Sequence, residues 1–175
     1  MKQLLTYSLL LILALPLSAK ILISPIDAMK ENFGNENKIE KKNILLTNAQ
    51  VQNIEDSAKV KLLNKIVRVF KATKDGKTTG HGVLINRKIR TKNGVVLYLI
   101  SADSTLKGIE VVAFNEPMEY IPSDKWLSQF EDVKMQDKTK LSSITNITGA
   151  TLSAKIFIDG SKVAFAIYNE VLKGK

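Results

Sequence analysis

Between residues 65 and 116 the chain reads as one strand after another. "KIVRVFKAT" alternates apolar and polar side chains, "KDGK" follows as a tight-hairpin signal, and "GHGVLINRKI" resumes the strand pattern. "TKNG" is a second turn signal, "VVLYLISAD" is a nearly continuous apolar run suited to a central strand, and "STLKG" turns the chain into "IEVVAFNE". Strands joined by connections this short pair antiparallel, because a parallel crossover needs a dozen residues or more. The segment therefore predicts an antiparallel sheet of about four strands.

Helical patterns flank it. In "SPIDAMKENFG", Ser24 suits an N-cap, Pro25 the first helical position and Asp27 the return arm of a capping box. Ile26, Met29 and Phe33 share a face, and Gly34 suits the stop. "TNAQVQNIEDSA" pairs Thr47 with Gln50 in a second box, with Val51, Ile54 and Ala58 behind it. After the strands, "NEPMEYIPSDKWLSQF" holds two prolines, so its first half is an ordered loop. Ser123 can then cap a short helix presenting Trp126, Leu127 and Phe130. "EDVKMQDKTKLSSITN" is polar and reads as loop. From Thr151 to about Leu172 the period is helical, with Ile156, Val163, Ala164, Ile167 and Val171 on one face. Gly160 costs that helix about 1 kcal/mol relative to Ala, which implies that something packs closely against it. The fold class is α+β: an antiparallel sheet with flanking helices and a long C-terminal helix.

Residues 1–19 stand apart. Lys2, the apolar run from Leu9 to Leu15, Pro16 and the small pair Ser18-Ala19 match a secretory signal with its cleavage site. The run is short for a bilayer span, so an uncleaved N-terminal anchor is the lesser alternative. The remaining residues, 20–175, read as one domain that works in the periplasm or is otherwise exported. With no cysteine in the chain, a disulfide framework and thiolate metal sites are excluded. The formal charge of +9 does not signal nucleic acid, since the lysines are scattered and no aromatics interleave with them as a stacking platform. A solvated surface explains the charge, with steering of acidic protein partners as a secondary role.

Chemistry-bearing residues are sparse. His81 is the only histidine, so no second imidazole can complete a triad or a two-histidine metal site. It reads as structural or solvated. Acidic residues do not cluster as hard-metal ligands. Glu116 and Glu119 flank Pro117, but a carboxylate pair alone is weak evidence for glycoside chemistry. No Gly-rich phosphate loop and no serine nucleophile elbow occurs. What remains is Thr148-Gly149-Ala150-Thr151 at the mouth of the last helix. Either threonine can cap that helix, with Gly149 supplying a permissive backbone. A helix N-terminus also offers unpaired N–H groups and a positive dipole end, which suit a phosphate.

"ITGATLSAKIFIDGSKVAFAI" resembles the C-terminal signature of the covalent FMN-binding domain, found in subunits of Rnf and sodium-pumping NADH:quinone reductase complexes and in stand-alone exported flavoproteins. "VVLYLISADSTLKGIEVVAFNEPMEYIPSDKWLSQF", with Glu116-Pro117 and Trp126-x-x-Gln129-Phe130, is similar to the stand-alone members, as are "SPIDAMKENF" and "LLTNAQVQNI". The resemblance implies FMN joined through its phosphate to Thr151 by a flavin transferase. It sets Thr148, Gly149, Ala150 and Leu152 around the phosphate, and Glu116, Pro117 and Trp126 near the isoalloxazine. Trp126 equally suits plain core packing. The implied function is electron transfer between redox proteins such as cytochromes or membrane oxidoreductases, close to a membrane, with no catalytic acid or base assigned. Thr145 stands where family members carry Asp, a position the flavin transferase reads. That departure supports the alternative of a flavin-free binding or assembly module of a membrane redox complex.

Overall fold

The computed structural model describes residues 20–88, 91–144 and 151–174. Its centre is an antiparallel sheet built from β1 (Lys20–Ile21), β2 (Lys38–Leu45), β3 (Ile66–Lys74), β4 (Lys77–Lys88), β5 (Asn93–Ser101), β6 (Thr105–Phe114) and β7 (Val133–Lys134). Six strands lie in the order β1-β6-β5-β4-β3-β2, and β7 adds to β6. The α+β expectation holds, but the sheet is larger than the expected four strands.

The four expected strands are β3 to β6, in sequence order. The hairpin at "KDGK" turns through Asp75 and Gly76 at φ 51° and 74°, the left-handed pair that an Asp-Gly turn supplies. One turn lies earlier than expected. Ala102 to Ser104 reverse the chain, and Thr105 to Gly108 already belong to β6. The strand missed is β2, paired residue for residue from Lys38↔Thr73 to Leu45↔Ile66. As an edge strand it carries Lys38, Glu40, Lys41 and Lys42, and most of its residues are exposed. Charges of this kind discourage edge-to-edge pairing and erase the apolar alternation by which a strand is recognised. β1 and β7 span two residues each, too few to show a period.

Helix α1 (Pro25–Phe33) starts as expected, with Ser24 Oγ accepting the Asp27 N–H at 3.2 Å, and Gly34 ends it at φ 100°. Ile26, expected on its apolar face, is exposed, whereas Met29 is fully buried. In α2 (Asn48–Ala58) the whole capping box forms: the Gln50 N–H donates to Thr47 Oγ1 at 3.2 Å, and the Thr47 N–H donates to Gln50 Oε1 at 3.0 Å. Ser123 caps α3 (Asp124–Leu127) by accepting the Trp126 N–H. The segment expected to be loop holds β7 and a short helix, α4 (Lys138–Ser142). The long helix α5 (Thr151–Ile167) continues into a π-helical turn, Tyr168–Leu172.

The two sheet faces bury separate cores. On one, Val69, Val83, Val96, Tyr98, Ile100 and Leu106 meet α5 and α2. On the other, Phe70, Ala72, Leu97, Leu99 and Val112 meet α1. The "GHG" of β4 serves both. A Cβ at Gly80 would lie 2.2 Å from the Phe33 ring, and one at Gly82 would lie 2.7 Å from Met29 Sδ. These glycines are the seat on which α1 lies against the sheet, and the period of two sends His81 to the α5 side. α5 is buried more widely than a single stripe. Ala154, Phe157, Phe165 and Ala166 are buried beside the expected Val163, Ala164, Ile167 and Val171, because α2 packs on the helix as well as the sheet does. Each fully buried aromatic or aliphatic side chain contributes on the order of 1.5–3 kcal/mol.

At Gly160, α5 approaches the sheet closely. A Cβ there would stand 1.9 Å from the Tyr98 hydroxyl oxygen and 2.5 Å from its Cζ. The hydroxyl donates to the Phe157 carbonyl at 3.3 Å. Helix propensity alone favours Gly160→Ala by about 1 kcal/mol. The overlap reverses that sign, and the variant is expected to lose about 2 kcal/mol in denaturant unfolding. In a Tyr98→Leu background the same substitution should be neutral or stabilising, a coupling that a double-mutant cycle measures. An unchanged penalty in that background would refute the contact as its cause.

Candidate functional site

α5 is described from Thr151 onward, the residue to which the family resemblance assigns the phosphoester, and no acid occurs in sequence between Thr151 and Ile158. A helix of 17 residues ends in unpaired N–H groups and a positive dipole end, the donor set that suits a phosphate. Thr148, Gly149 and Ala150 lie outside the described residues, as do residues 1–19 with the expected signal. Leu152 follows Thr151 in the first turn.

Trp126 lies close to this end of α5. Its indole meets the rings of Phe130 and Phe157 edge-on, at centroid distances of 5.2 and 5.9 Å and interplanar angles of 62° and 73°. Phe157 lies about 9 Å along the axis from Thr151, at 1.5 Å per residue. Only 9% of Trp126 is exposed, so it is an aromatic wall of the core as much as a surface. Sequence reading identified Trp126 and Phe130 but not Phe157, the residue that ties them to α5. Phe157, seven residues before Ala164, lies at the margin of the expected apolar stripe.

Glu116 is placed differently. Its carboxylate accepts the Thr91 and Lys92 N–H groups and the Thr91 hydroxyl. It closes the connection between β4 and β5, near the C-terminal end of β6. β7 pairs at the other end of β6, at Thr105 and Leu106. Pro117 is exposed beside Glu116 and leads into a 3₁₀ turn, Met118–Tyr120. The structure thus brings Trp126 toward the start of α5, while Glu116 is engaged in holding a sheet turn.

His81 is 3% exposed, and its Nδ1 is buried with no hydrogen-bond partner. Its ring meets that of Tyr168 edge-on at 5.6 Å, and the Tyr168 hydroxyl donates to the Ala102 carbonyl at 3.1 Å. The π-helical turn thereby clamps His81 on the sheet. Cross-strand register lines up Glu40, Lys71, His81 and Ile100 in one row. Burial, and then the Lys71 charge, push the imidazole down from 6.5 to about 4. Desolvation disfavours its charged form. Among the described residues no group of three or more His, Cys, Asp or Glu side chains could hold a metal ion. No described helix is long and apolar enough to cross a membrane.

The lysines that are scattered in sequence are gathered by the fold. Strands β2, β3 and β4 hold nine of the 26 basic residues but one of the 17 acidic ones, and they are neighbours at one side of the sheet. The net charge of +9 is therefore concentrated there. A cavity of about 480 Å³ opens over α5 between α2 and α4, lined by Lys59, Leu141, Lys162 and Phe165 among others. Lys162 lies about 16 Å along the helix axis from Thr151, so this cavity is separate from the Trp126 wall. Compared with known proteins, the chain matches no family model and no curated protein.

His81 gives a signed pH prediction. Its folded-state pKa is about 4 against 6.5, so between those values the unfolded chain binds the extra proton. The stabilisation is complete above pH 6.5 and is lost as pH falls toward 4, by about 3 kcal/mol at the lower end. His81→Met should remove that increment from the pH dependence of unfolding. Parallel curves for the two proteins between pH 7 and 4 would contradict it.

Proposed function

We propose that this chain is an exported electron-transfer flavoprotein that carries FMN through a phosphoester to Thr151. The observation that carries this reading is that Thr151, the last residue of a Thr-Gly-Ala-Thr run, is helical, with no acid in sequence from Thr148 to Ile158. Thr151 would hold the phosphate covalently. Thr148, Gly149, Ala150 and Leu152 would surround it with backbone donors. Trp126 and the Glu116-Pro117 segment would flank the ring system. FMN would supply one- and two-electron redox chemistry; the chain supplies binding, orientation and tuning. A free threonine hydroxyl is a poor nucleophile at neutral pH, so attachment requires a flavin transferase.

Electrons would pass by close approach to redox proteins such as cytochromes or membrane oxidoreductases, without a substrate pocket. The basic side of the sheet supports partners with acidic docking surfaces, whose encounter would slow as salt rises. A signal at residues 1–19 would deliver the protein to the periplasm. The second reading, a flavin-free assembly module, is favoured by Thr145 in place of Asp and by the commitment of Glu116 to the β4–β5 connection.

The test is intact mass after export in a host that supplies the flavin transferase. The expected result is a mass increase of one FMN less water and in-gel flavin fluorescence, both abolished by Thr151→Ala with folding retained. An unmodified mass with no fluorescence would overturn covalent attachment and favour the assembly module.

A further inference from the structure

The sheet opens between β3 and β4. Their ladder ends at Arg68↔Leu84. On either side, β2–β3 pairing continues to Leu45↔Ile66 and β4–β5 pairing to Lys88↔Asn93. Ile66 and Val67 therefore do not pair with residues 85–87 across the gap. The notch so formed is a cavity of about 230 Å³ with Val163 and Ile167 of α5 in its wall.

Its lining is chemically one-sided. Arg68, Arg87 and three asparagines supply the polar groups, and no Asp or Glu lines it. Arg68 is partly engaged, since its Nε donates to Asn43 Oδ1 at 3.2 Å. Arg87 has one weak bond, from Nη2 to the Lys61 carbonyl at 3.4 Å, and its Nε is buried with no partner. A buried unsatisfied donor costs about 1–3 kcal/mol, and more when it is charged. Leu62, Val67, Val163 and Ile167 form the apolar part of the wall.

We propose that this notch binds a compact organic carboxylate. The guanidinium of Arg87, held by one long bond to the Lys61 carbonyl, matches a carboxylate through its terminal nitrogens. The apolar wall matches a short hydrocarbon or aromatic body, and the volume is below that of sites for drug-sized ligands. Arg68 lies on the opposite face of β3 from Val67 and stays paired with Asn43 at the margin of the opening. A bare inorganic anion would leave the apolar wall uncovered, so the carboxylate and its body are recognised together. The site lies in the sheet opening, about 18 Å along α5 from Thr151 by the helical rise, and its occupancy is independent of flavin.

Sodium benzoate is the probe, with benzamide as the uncharged match and sodium phosphate as the anion without a body. The chain has three arginines, Arg68, Arg87 and Arg90, so its arginine Nε–Hε signals in a ¹⁵N spectrum can be assigned by single Arg→Lys variants. Benzoate should move the Arg87 signal saturably, and benzamide and phosphate should bind at least about tenfold more weakly. Arg87→Gln should weaken benzoate binding in calorimetry by about tenfold or more, with the thermal melt confirming that the variant is folded. Should Arg87→Gln unfold, Arg87→Lys, which keeps the charge and loses the planar fork, should still weaken benzoate binding in the same calorimetry. Equal effects of benzoate and phosphate, or an Arg87 signal unmoved by benzoate, would overturn the proposal.

Discussion

The structure depends on how closely α5 can lie on the sheet. At Gly160 there is no side chain, and the Tyr98 ring occupies the space a Cβ would need. That approach brings Phe157, Val163, Ala164 and Ile167 into the same apolar core as the central strands. Tyr98 keeps its hydroxyl satisfied by donating to the Phe157 carbonyl, as a buried phenol must. Three regions then take their positions from α5: the Trp126 cluster near its start, the wall of the β3–β4 notch along its length, and the π-helical turn over His81 at its end.

The same device recurs on the opposite face, with different partners. Gly80 and Gly82 let Phe33 and Met29 of α1 descend onto β4, and His81 between them is driven into the other core. One three-residue segment thus seats a helix on one side of the sheet and places a buried imidazole on the other. The charge excess follows from topology in the same way. Strands β2, β3 and β4 carry nine basic residues against one acid and are neighbours, so a charge that looks dispersed along the chain gathers at one side of the sheet.

The features legible in the sequence are those whose causes lie within a few residues. The Thr47–Gln50 box, the Ser24 and Ser123 caps and the Asp75-Gly76 turn all formed as their local chemistry dictates. The glycine in the last helix was readable as a sign of close packing, because its conformational cost demands a return. Strand β2 was not readable, since its lysines serve an edge and the apolar alternation is absent. The helix of the C-terminal segment was legible from its apolar period, and Trp126 from its cap and spacing. Phe157 as its partner was not, because the helix is covered by α2 as well as by the sheet, and a single-stripe pattern conceals a second buried face.

The sequence by itself determined the sheet's antiparallel character, the starts of α1, α2 and α3 and the helical period of the C-terminal segment, since caps, turns and alternation act over short distances. Only the tertiary structure decided which side chains meet across the sheet. It joined β2 to the edge, turned Glu116 toward Thr91 and Lys92, buried His81 beneath Tyr168, and ended the β3–β4 ladder so that Arg87 lines an opening free of carboxylates. Those outcomes depend on register between distant strands, and register is set by how two cores pack on one sheet, which no local window of residues contains.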